Sequence, residues 1–264
     1  MNMDLNLVGK RALVSAGGAG LGRASAIELS RLGAEVVVAG RSENGLQETV
    51  ELLSCEHGQK HDSVVVDYTD FELVKTKFKA YEEQNAPIHV VVNNSGGPPP
   101  GMILDATPED FQSAINMHLF CNQIIAQTFI AGMKREGYGR IINIISVSVK
   151  EPQPNLGVSN TIRAAVAHWA KSLAAEVGRF GITVNNVLPG LTRTARLMSY
   201  IKTLAEQNGR SVEEQEQLMS AAIPLQYIGQ PEGFGNAVAF LASPAASYIT
   251  GVNLPVDGGY VRCL

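Results

Sequence analysis

The chain has 264 residues, of which 45% are hydrophobic and 17% are charged, and its formal net charge is −4. This length and composition are sufficient for one α/β domain with a sizeable core. A weakly acidic chain has no field that would attract nucleic acid or an anionic membrane surface, and no apolar run is long enough to span a bilayer. We therefore expect no nucleic-acid partner and no membrane association.

The cysteines and the N-terminal residues indicate the cellular compartment of the protein. The three cysteines, Cys55, Cys121 and Cys263, are too few and too widely spaced for a disulfide framework or a zinc site. The N-terminal residues lack the basic stretch and apolar run of a secretory signal. We therefore predict reduced thiols, a cytoplasmic protein and no bound metal.

The first predicted element is a strand, glycine turn and helix between Arg11 and Arg23. The apolar run 12–14 predicts a buried strand, and a helical pattern of apolar residues begins at Ala24. Glycines between them let the backbone approach a pyrophosphate, and the first N–H groups of the helix bind the anion. This context predicts a dinucleotide site. The turn residues that we predict to bind the cofactor are Ser15, Gly17, Gly18, Gly20, Leu21 and Gly22.

Six further runs are rich in Val and Ile and apolar on both faces, which is typical of parallel strands covered on both sides. Helical patterns lie between them, and this alternation indicates βαβ units. We predict an α/β fold, a Rossmann-like doubly wound parallel sheet in three layers, forming a single domain over residues 1–264. These six predicted strands span 35–39, 63–66, 88–92, 140–145, 182–188 and 252–256.

Polar residues with the spacing of helix starts precede several helical patterns. Ser42 would cap one helix, and Thr69 with Glu72 has the spacing of a capping box. Thr107, followed by proline and two acids, would begin a long helix that continues through Met133.

Residues 190–224 interrupt the regular alternation before the last helix. Two amphipathic segments lie within them, at 197–204 and 212–219. An insertion beyond the carboxyl end of a strand in an open α/β sheet often covers the ligand. We predict that residues 190–224 form a lid over the substrate.

The end of the second strand bears on which nicotinamide cofactor is used. An acidic residue about 20 residues past the glycine turn would bind the ribose 2′-OH of NAD, but Arg41 stands there. A guanidinium suits a 2′-phosphate, so NADP(H) is favoured over NAD(H), with a solvated strand-end arginine as the alternative. Asp67, at the end of the third strand, either accepts from the adenine amino group or precedes the next helix.

Several motifs resemble those of the short-chain dehydrogenase/reductase family over essentially the whole chain. Residues 15–22 are similar to the family's TGxxxGxG, with Ser15 and Ala16 at its first two positions. The family's NNAG appears as Asn-Asn-Ser-Gly at 93–96, and its helical active-site asparagine corresponds to Asn116. The resemblance implies that Asn116 takes part in catalysis.

The resemblance extends through the C-terminal half. The family's catalytic serine corresponds to Ser146 at the end of the fifth strand, and the run 181–185 is similar to that of the 3-oxoacyl-carrier-protein reductases. That branch implies a carbonyl or acyl-thioester substrate. The further cofactor-binding residues that the resemblance implies are Asn93, Ser95, Gly96, Pro189, Gly190 and Thr194.

The chain departs from the family at its catalytic Tyr-x-x-x-Lys. Thirteen residues after Ser146 stands Ser159, and four residues further stands Arg163. In the family the tyrosine is the general acid, and the lysine lowers its pKa from about 10. Serine is a far weaker acid and arginine cannot relay a proton. We count Ser159 and Arg163 as catalytic candidates. Arg163 would hold the nicotinamide ribose, bind a substrate anion, or be structural.

Other polar residues near the predicted site are weaker candidates for the missing acid. Lys150 and Glu151 follow the catalytic serine on a loop, with Ser148 and Ser95 nearby in the family's geometry. His118 is two residues past Asn116, which on an α-helix places it on another face. We interpret these as loop or surface residues.

Three functions remain open from the sequence. The first is an NADP(H)-dependent oxidoreductase that acts on a carbonyl or alcohol with an altered acid. The second is a non-redox enzyme on the same scaffold, such as a lyase or isomerase, with an anionic substrate on Arg163. The third is a catalytically silent nucleotide-binding protein or partner subunit. The second and third functions remain open because both catalytic residues of the family are replaced while its other motifs are still recognisable.

The family resemblance also implies an oligomer, a homotetramer or a homodimer. The apolar-striped helices predicted at 111–133 and 162–177 carry more apolar surface than one sheet contact requires.

Overall fold

The computed structural model of the protein describes residues 3–263. Seven parallel strands form one sheet, as the alternating pattern predicts. The strands are β1 (Arg11–Ser15), β2 (Glu35–Gly40), β3 (Asp62–Val65), β4 (Val90–Asn93), β5 (Gly139–Ile144), β6 (Ile182–Pro189) and β7 (Asn253–Val256).

Helices cover both faces of this sheet and complete the three predicted layers. They are α1 (Gly20–Arg31), α2 (Glu43–Leu52), α3 (Phe71–Gln84), α4 (Pro108–Ile115), α5 (Cys121–Glu136), α6 (Gly157–Val177), α7 (Ala195–Gln207), α8 (Val212–Ala221) and α9 (Pro231–Ala242). The fold is therefore the Rossmann-like doubly wound α/β fold.

The strand order is β3-β2-β1-β4-β5-β6-β7. From β1 the chain adds β2 and β3 on one side of the sheet, and it then adds β4 to β7 on the other side. A ligand cleft opens at the carboxyl ends of the two neighbouring strands where the order reverses, here β1 and β4. The central strands are buried on both faces; β4, for example, consists of four residues that are all buried. This burial explains why these runs show no polar alternation.

Two large apolar clusters hold the helices against the sheet, one on each face. On one face α1 packs closely on α9. Gly235 permits this approach, because a Cβ atom there would lie 2.7 Å from the carbonyl oxygen of Ala24. On the other face α3, α5 and α6 surround residues such as Phe78 and Phe129, whose rings meet edge to face.

Three helix predictions need correction or detail. The capping box predicted at Thr69 does not form, because Asp70 caps α3 and accepts from the N–H of Leu73. The capping box at Thr107 is present. The long helix that follows is broken between α4 and α5 by a π-helical turn over Asn116–Phe120.

The structure also bears on the predictions about the cysteines and about membrane-spanning segments. All three cysteines are free thiols, and Cys121 is buried. Within residues 3–263, none of the helices is both long enough and apolar enough to cross a membrane.

Candidate functional site

Most of the predicted site residues lie along one edge of the molecule, where the parallel strands end. β1 leads into the glycine turn, β4 into the Asn94–Gly97 loop, and β5 into Ser146. β6 ends at Pro189 and leads to the predicted lid. The topology therefore brings motifs that are far apart in sequence to one cleft.

Steric contacts at the glycine turn require residues without side chains. A Cβ atom at Gly17 would lie 2.8 Å from Cβ of Val38, and one at Gly22 would lie 2.3 Å from the carbonyl oxygen of Ala16. Ala16 itself adopts a left-handed conformation, with φ of 48°, where the related motif has glycine. The turn therefore keeps its shape although Ala16 has a side chain.

The N-terminus of α1 has the features of an anion site. Its N-cap residue is Ala19, which makes no side-chain cap, whereas Thr194 and Ser211 cap α7 and α8. The first N–H groups of α1 are thus left for a ligand, next to a turn that offers only backbone. This chain's own residues fit the pyrophosphate of a dinucleotide.

Two arginines near this turn have different surroundings. The guanidinium of Arg23 donates to the carbonyl of Gly18 at 2.6 Å and pairs with Glu48 at 2.9 Å, so it ties the turn to α2. Arg41 is exposed just after β2, beside the N-cap Ser42 of α2. The carboxylate of Asp67 accepts from the N–H of Thr69 at 2.9 Å, and its side chain is half-buried.

A ladder of asparagine amides, three buried and one half-buried, crosses the sheet below the cleft. Asn93, Asn143, Asn186 and Asn253 stand in register on β4, β5, β6 and β7. Their side chains are joined by hydrogen bonds of 2.9, 2.8 and 2.7 Å. The Nδ2 of Asn93 is therefore committed to the sheet, whereas its buried Oδ1 has no partner among the described residues.

Ser146 lies just after β5, and Ser159 lies on α6. Ser146 is half-buried and its Oγ accepts from the N–H of Ser148 at 3.1 Å. Ser159 is half-buried near the N-terminal end of α6, four residues before Arg163. By the sequence register, we still predict these two residues to be the counterparts of the family's serine and tyrosine.

Arg163 is turned toward the sheet. It is 8% exposed, its Nη1 donates to the carbonyl of Ile144 at 3.0 Å, and its buried Nε has no partner among the described residues. Burial, and then the charge of Arg196, lower the pKa of Arg163 to about 10. The guanidinium is still charged at neutral pH, so a fixed positive charge lies under the site.

The sequence predicts that His118 is a loop or surface residue, and this prediction is wrong. It is 2% exposed, its Nδ1 is 2.7 Å from Oγ of Ser95, and its Nε2 has no partner among the described residues. Burial, followed by the charges of Arg163 and Arg196, lowers the pKa of His118 to about 2. The imidazole is therefore neutral, and it holds the Ser95 hydroxyl in place.

The π-helical turn explains how His118 reaches this place. The turn adds a residue to the local helical repeat and changes the direction of the side chains that follow Asn116. Asn116 is half-buried, and its Oδ1 accepts from Nε2 of Gln112 at 2.7 Å. Its own amide N–H groups remain for substrate or water.

The start of the predicted lid lies over the glycine turn and the loop after β4. A Cβ atom at Gly20 would lie 3.5 Å from the methyl carbon of Thr194. Nη2 of Arg196 donates to the carbonyl of Pro98 at 3.3 Å. Arg193, by contrast, pairs with Glu216 on α8.

A groove of about 460 Å³ lies between the loop after β4, the loop after β5 and the first turns of α6. Apolar side chains, amides and hydroxyls line it, and Ser148 and Thr161 supply the hydroxyls. The Oγ of Ser148 is buried and has no partner among the described residues.

Tyr138 is not placed to replace the missing acid. The hydroxyl of Tyr138 donates to the carbonyl of Ala242 at 2.6 Å, at the opposite end of β5. Tyr200 and Tyr227 are about half exposed. Glu151 accepts from the N–H of Arg262 at 3.1 Å, and Lys150 is half-buried on the same loop.

Nearly the whole chain is similar to known proteins. A family model described as enoyl-(acyl carrier protein) reductase matches residues 16–261. The 3-oxoacyl-[acyl-carrier-protein] reductase FabG of Vibrio cholerae is 32% identical over 257 residues, which are 97% of this chain and 98% of the relative.

Two other proteins show the range of related substrates. The 7alpha-hydroxysteroid dehydrogenase of Escherichia coli K12 is 30% identical over 259 residues, covering 98% of this chain and 97% of the relative. The crystal structure of L-sorbose reductase from Gluconobacter frateurii, complexed with NADPH and L-sorbose, is 28% identical with a TM-score of 0.93. It covers 99% of this chain and 100% of its own.

Proposed function

Because the chain belongs to the short-chain dehydrogenase/reductase family and is an NAD(P)-dependent oxidoreductase, we propose that it reduces a carbonyl group to an alcohol with NADPH. The observation that carries the proposal is the cleft itself. A glycine turn that fits a pyrophosphate lies at the same sheet edge as Asn116 and Ser146. Hydride donor and carbonyl would therefore meet there.

The preference for NADPH over NADH is supported by Arg41. It is exposed at the end of β2 and stands where an acid would select NAD. A 2′-phosphate would accept hydrogen bonds from its guanidinium. Solved relatives described with NADPH include L-sorbose reductase and an actinorhodin polyketide ketoreductase.

The cofactor would be held by the glycine turn, by the backbone of Asn93 to Gly96, and by Pro189, Gly190 and Thr194. Bound there, NADPH supplies a hydride to the carbonyl carbon. The chain's own residues then have to stabilise negative charge on the carbonyl oxygen. We assign this task to the hydroxyls of Ser146 and Ser159 and to the amide of Asn116.

The proton that completes the alcohol comes from water in this proposal. A serine hydroxyl donates a hydrogen bond but gives up its proton far less readily than a tyrosine. Arg163 keeps its charge at neutral pH and favours negative charge on the substrate oxygen. The groove beside Ser148 offers water a path to the site.

The substrate is a small carbonyl compound or an acyl thioester in this proposal. The relatives named above act on acyl-carrier, steroid and sugar substrates by their names. Helices α7 and α8 within residues 190–224 would close over the bound substrate as a lid.

We also propose that the protein is a homotetramer or a homodimer. α5 and α6 carry apolar residues that the sheet only partly covers, such as Ile124 and Leu173. Light scattering at micromolar concentration tests this, and a monomer would contradict it.

The direct test of the proposed function is the oxidation of NADPH, followed by its absorbance, with a panel of ketones and a 3-oxoacyl thioester. Turnover of one ketone class with NADPH supports the proposal. A folded protein that binds NADPH but transfers no hydride would favour the non-redox alternative. A folded protein that binds neither NADPH nor NADH would remove the reductase function altogether.

A further inference from the structure

Two arginines place positive charge at the reacting end of the cleft. Arg163 lies buried beneath the site, and Arg196 is exposed at the second position of α7. The charge of Arg196 acts on both Arg163 and His118. Within residues 3–263, neither Arg163 nor Arg196 forms an ion pair with a carboxylate. The two positive charges therefore have no paired negative charge in the described part of the chain.

Arg196 differs from the other arginine on the same segment. Arg193 is neutralised by Glu216 on α8. Arg196 instead reaches across to the loop after β4, where its Nη2 donates to the neutral carbonyl of Pro98. Gly97 leaves room for it, because a Cβ atom there would lie 2.8 Å from its Nη1. This close approach keeps the guanidinium at the mouth of the cleft.

The position of Arg196 on its helix is electrostatically unfavourable. The N-terminus of a helix attracts anions and repels cations, yet the first turn of α7 holds Arg196 and no acid. The neighbouring α8 has the usual arrangement, with Glu213 and Glu214 in its first turn. A bound anion would remove this repulsion.

Two buried nitrogen atoms of the described residues at the reacting end lack hydrogen-bond partners. Nε of Arg163 and Nε2 of His118 are each buried and unpaired among the described residues. Both side chains are more than nine-tenths buried. Unpaired buried polar groups are costly, and the functional explanation is a ligand or an ordered water that pairs with them.

We propose that Arg196 binds an anionic group on the substrate, a carboxylate or a phosphate, and that the enzyme therefore selects charged over neutral carbonyl compounds. This inference rests on the proposed function and specifies its substrate class. A guanidinium recognises either group through paired N–H donors, which gives direction as well as attraction. The pyrophosphate of the cofactor is the other anion near α7, so the test must separate the two.

The test uses ketones of matched shape. L-Sorbose and 5-keto-D-gluconate differ only in a primary alcohol against a carboxylate, and D-fructose and D-fructose 6-phosphate differ only in the phosphate. Initial rates with NADPH are measured for the wild type, Arg196→Gln and Arg196→Lys. Lys202→Gln is the control, because it makes the same charge change at an exposed position of α7.

We expect kcat/KM for one anionic ketone to exceed that of its neutral partner on the order of 10- to 100-fold in the wild type, as for hydrogen bonds to charged groups. Arg196→Gln should remove this ratio mainly through KM, and Arg196→Lys should retain part of it. Lys202→Gln should behave as the wild type. The Kd of NADPH should be unchanged in all variants.

Three results would overturn the inference: equal rates on charged and neutral partners, equal losses in Arg196→Gln and Lys202→Gln, or a parallel loss of NADPH affinity in Arg196→Gln. Thermal unfolding of the NADP⁺ complex with each compound provides a readout without turnover. Stabilisation by the anionic partner that needs Arg196, without hydride transfer, supports the anion site and contradicts the proposed reductase function. Equal stabilisation by both partners, or by neither, overturns the anion site.

Discussion

The two ends of the cleft are built on different principles. At the nucleotide end, from β1 to β2, the site consists of backbone: glycines, the first N–H groups of α1 and the shape of the turn. At the reacting end, around Ser146, Ser159 and Arg163, the site consists of side chains. At the first end the path of the backbone forms the site, so a side chain at Gly17 or Gly22 would clash, whereas at the second end the chemistry depends on which side chains are present.

Ala16 and Arg163 illustrate this difference. Ala16 replaces a glycine of the related motif, but the turn keeps its form at the cost of a left-handed residue. Arg163 replaces a lysine, but its guanidinium is bonded to the carbonyl of Ile144 beneath the cleft. In the proposed function, the first replacement leaves the nucleotide site in place, and the second requires a different way of moving a proton.

The largest expected effect is at the nucleotide end. Gly22→Ala puts a methyl group 2.3 Å from the carbonyl oxygen of Ala16, and neither backbone can move away. We expect the free energy of unfolding to fall by roughly 3 kcal/mol and NADPH binding to be lost. Urea unfolding and fluorescence titration measure the two effects. Gly233→Ala, which is in open space within α9, is the control: it should leave NADPH binding unchanged and raise the free energy of unfolding by up to about 1 kcal/mol.

The second prediction concerns the reacting end. Ser159→Tyr with Arg163→Lys supplies the acid and the cation that the family uses, on the same face of α6. We expect kcat for ketone reduction to rise by roughly 100-fold, within the range of general acid catalysis. Ser159→Phe with Arg163→Lys is the matched control, because it adds the ring without the hydroxyl. A rise in that control would mean that the ring, and not the acid, is responsible.

The third prediction uses the neutral state of His118. Its pKa falls from 6.5 to about 2 on folding, so the unfolded chain binds a proton below pH 6.5 that the folded chain does not. Stability is therefore lost as pH falls below 6.5, by about 2 kcal/mol between pH 7 and pH 5. His118→Gln can still bond to Ser95 and does not titrate. Urea unfolding of both proteins should show a smaller pH dependence in the variant, and equal slopes would contradict the burial of His118.

The smallest expected effect returns to the glycine turn. Ala16→Gly removes the strain of a left-handed alanine, which costs about 1–2 kcal/mol, and adds chain entropy to the unfolded state. We expect a net stabilisation of about 0.5 kcal/mol with unchanged NADPH affinity. A loss of stability in thermal unfolding would mean that the alanine methyl makes a favourable contact.

Much of the fold could be predicted from the sequence because it follows from periodic patterns. The seven strands and their parallel arrangement follow from the runs of Val and Ile between helices. The predicted ends of the strands differ from the observed ends by at most two residues. Thr107 is a correct cap, and Asp70 takes the role predicted for Thr69 because both residues are adjacent and either can accept from the first turn.

The reacting end could be predicted only in part. The register that identifies Ser159 and Arg163 needs only counting along the chain. His118 was missed because the π-helical turn changes the phase of side chains that an α-helical count assumes. Arg196 was missed because its approach to Pro98 spans 98 residues and depends on the path of the lid. The asparagine ladder could have been predicted from the sequence, because an asparagine occurs at a similar position in or next to four of the predicted strands.

The most direct test of the difference between the two ends is a titration of NADPH, with NADH beside it, into the wild type and into Ser159→Tyr with Arg163→Lys. If the nucleotide end is intact and independent of the reacting end, both proteins bind NADPH with the same Kd and bind NADH more weakly. Binding of NADPH only by the double variant, or by neither protein when both are folded, would contradict the account.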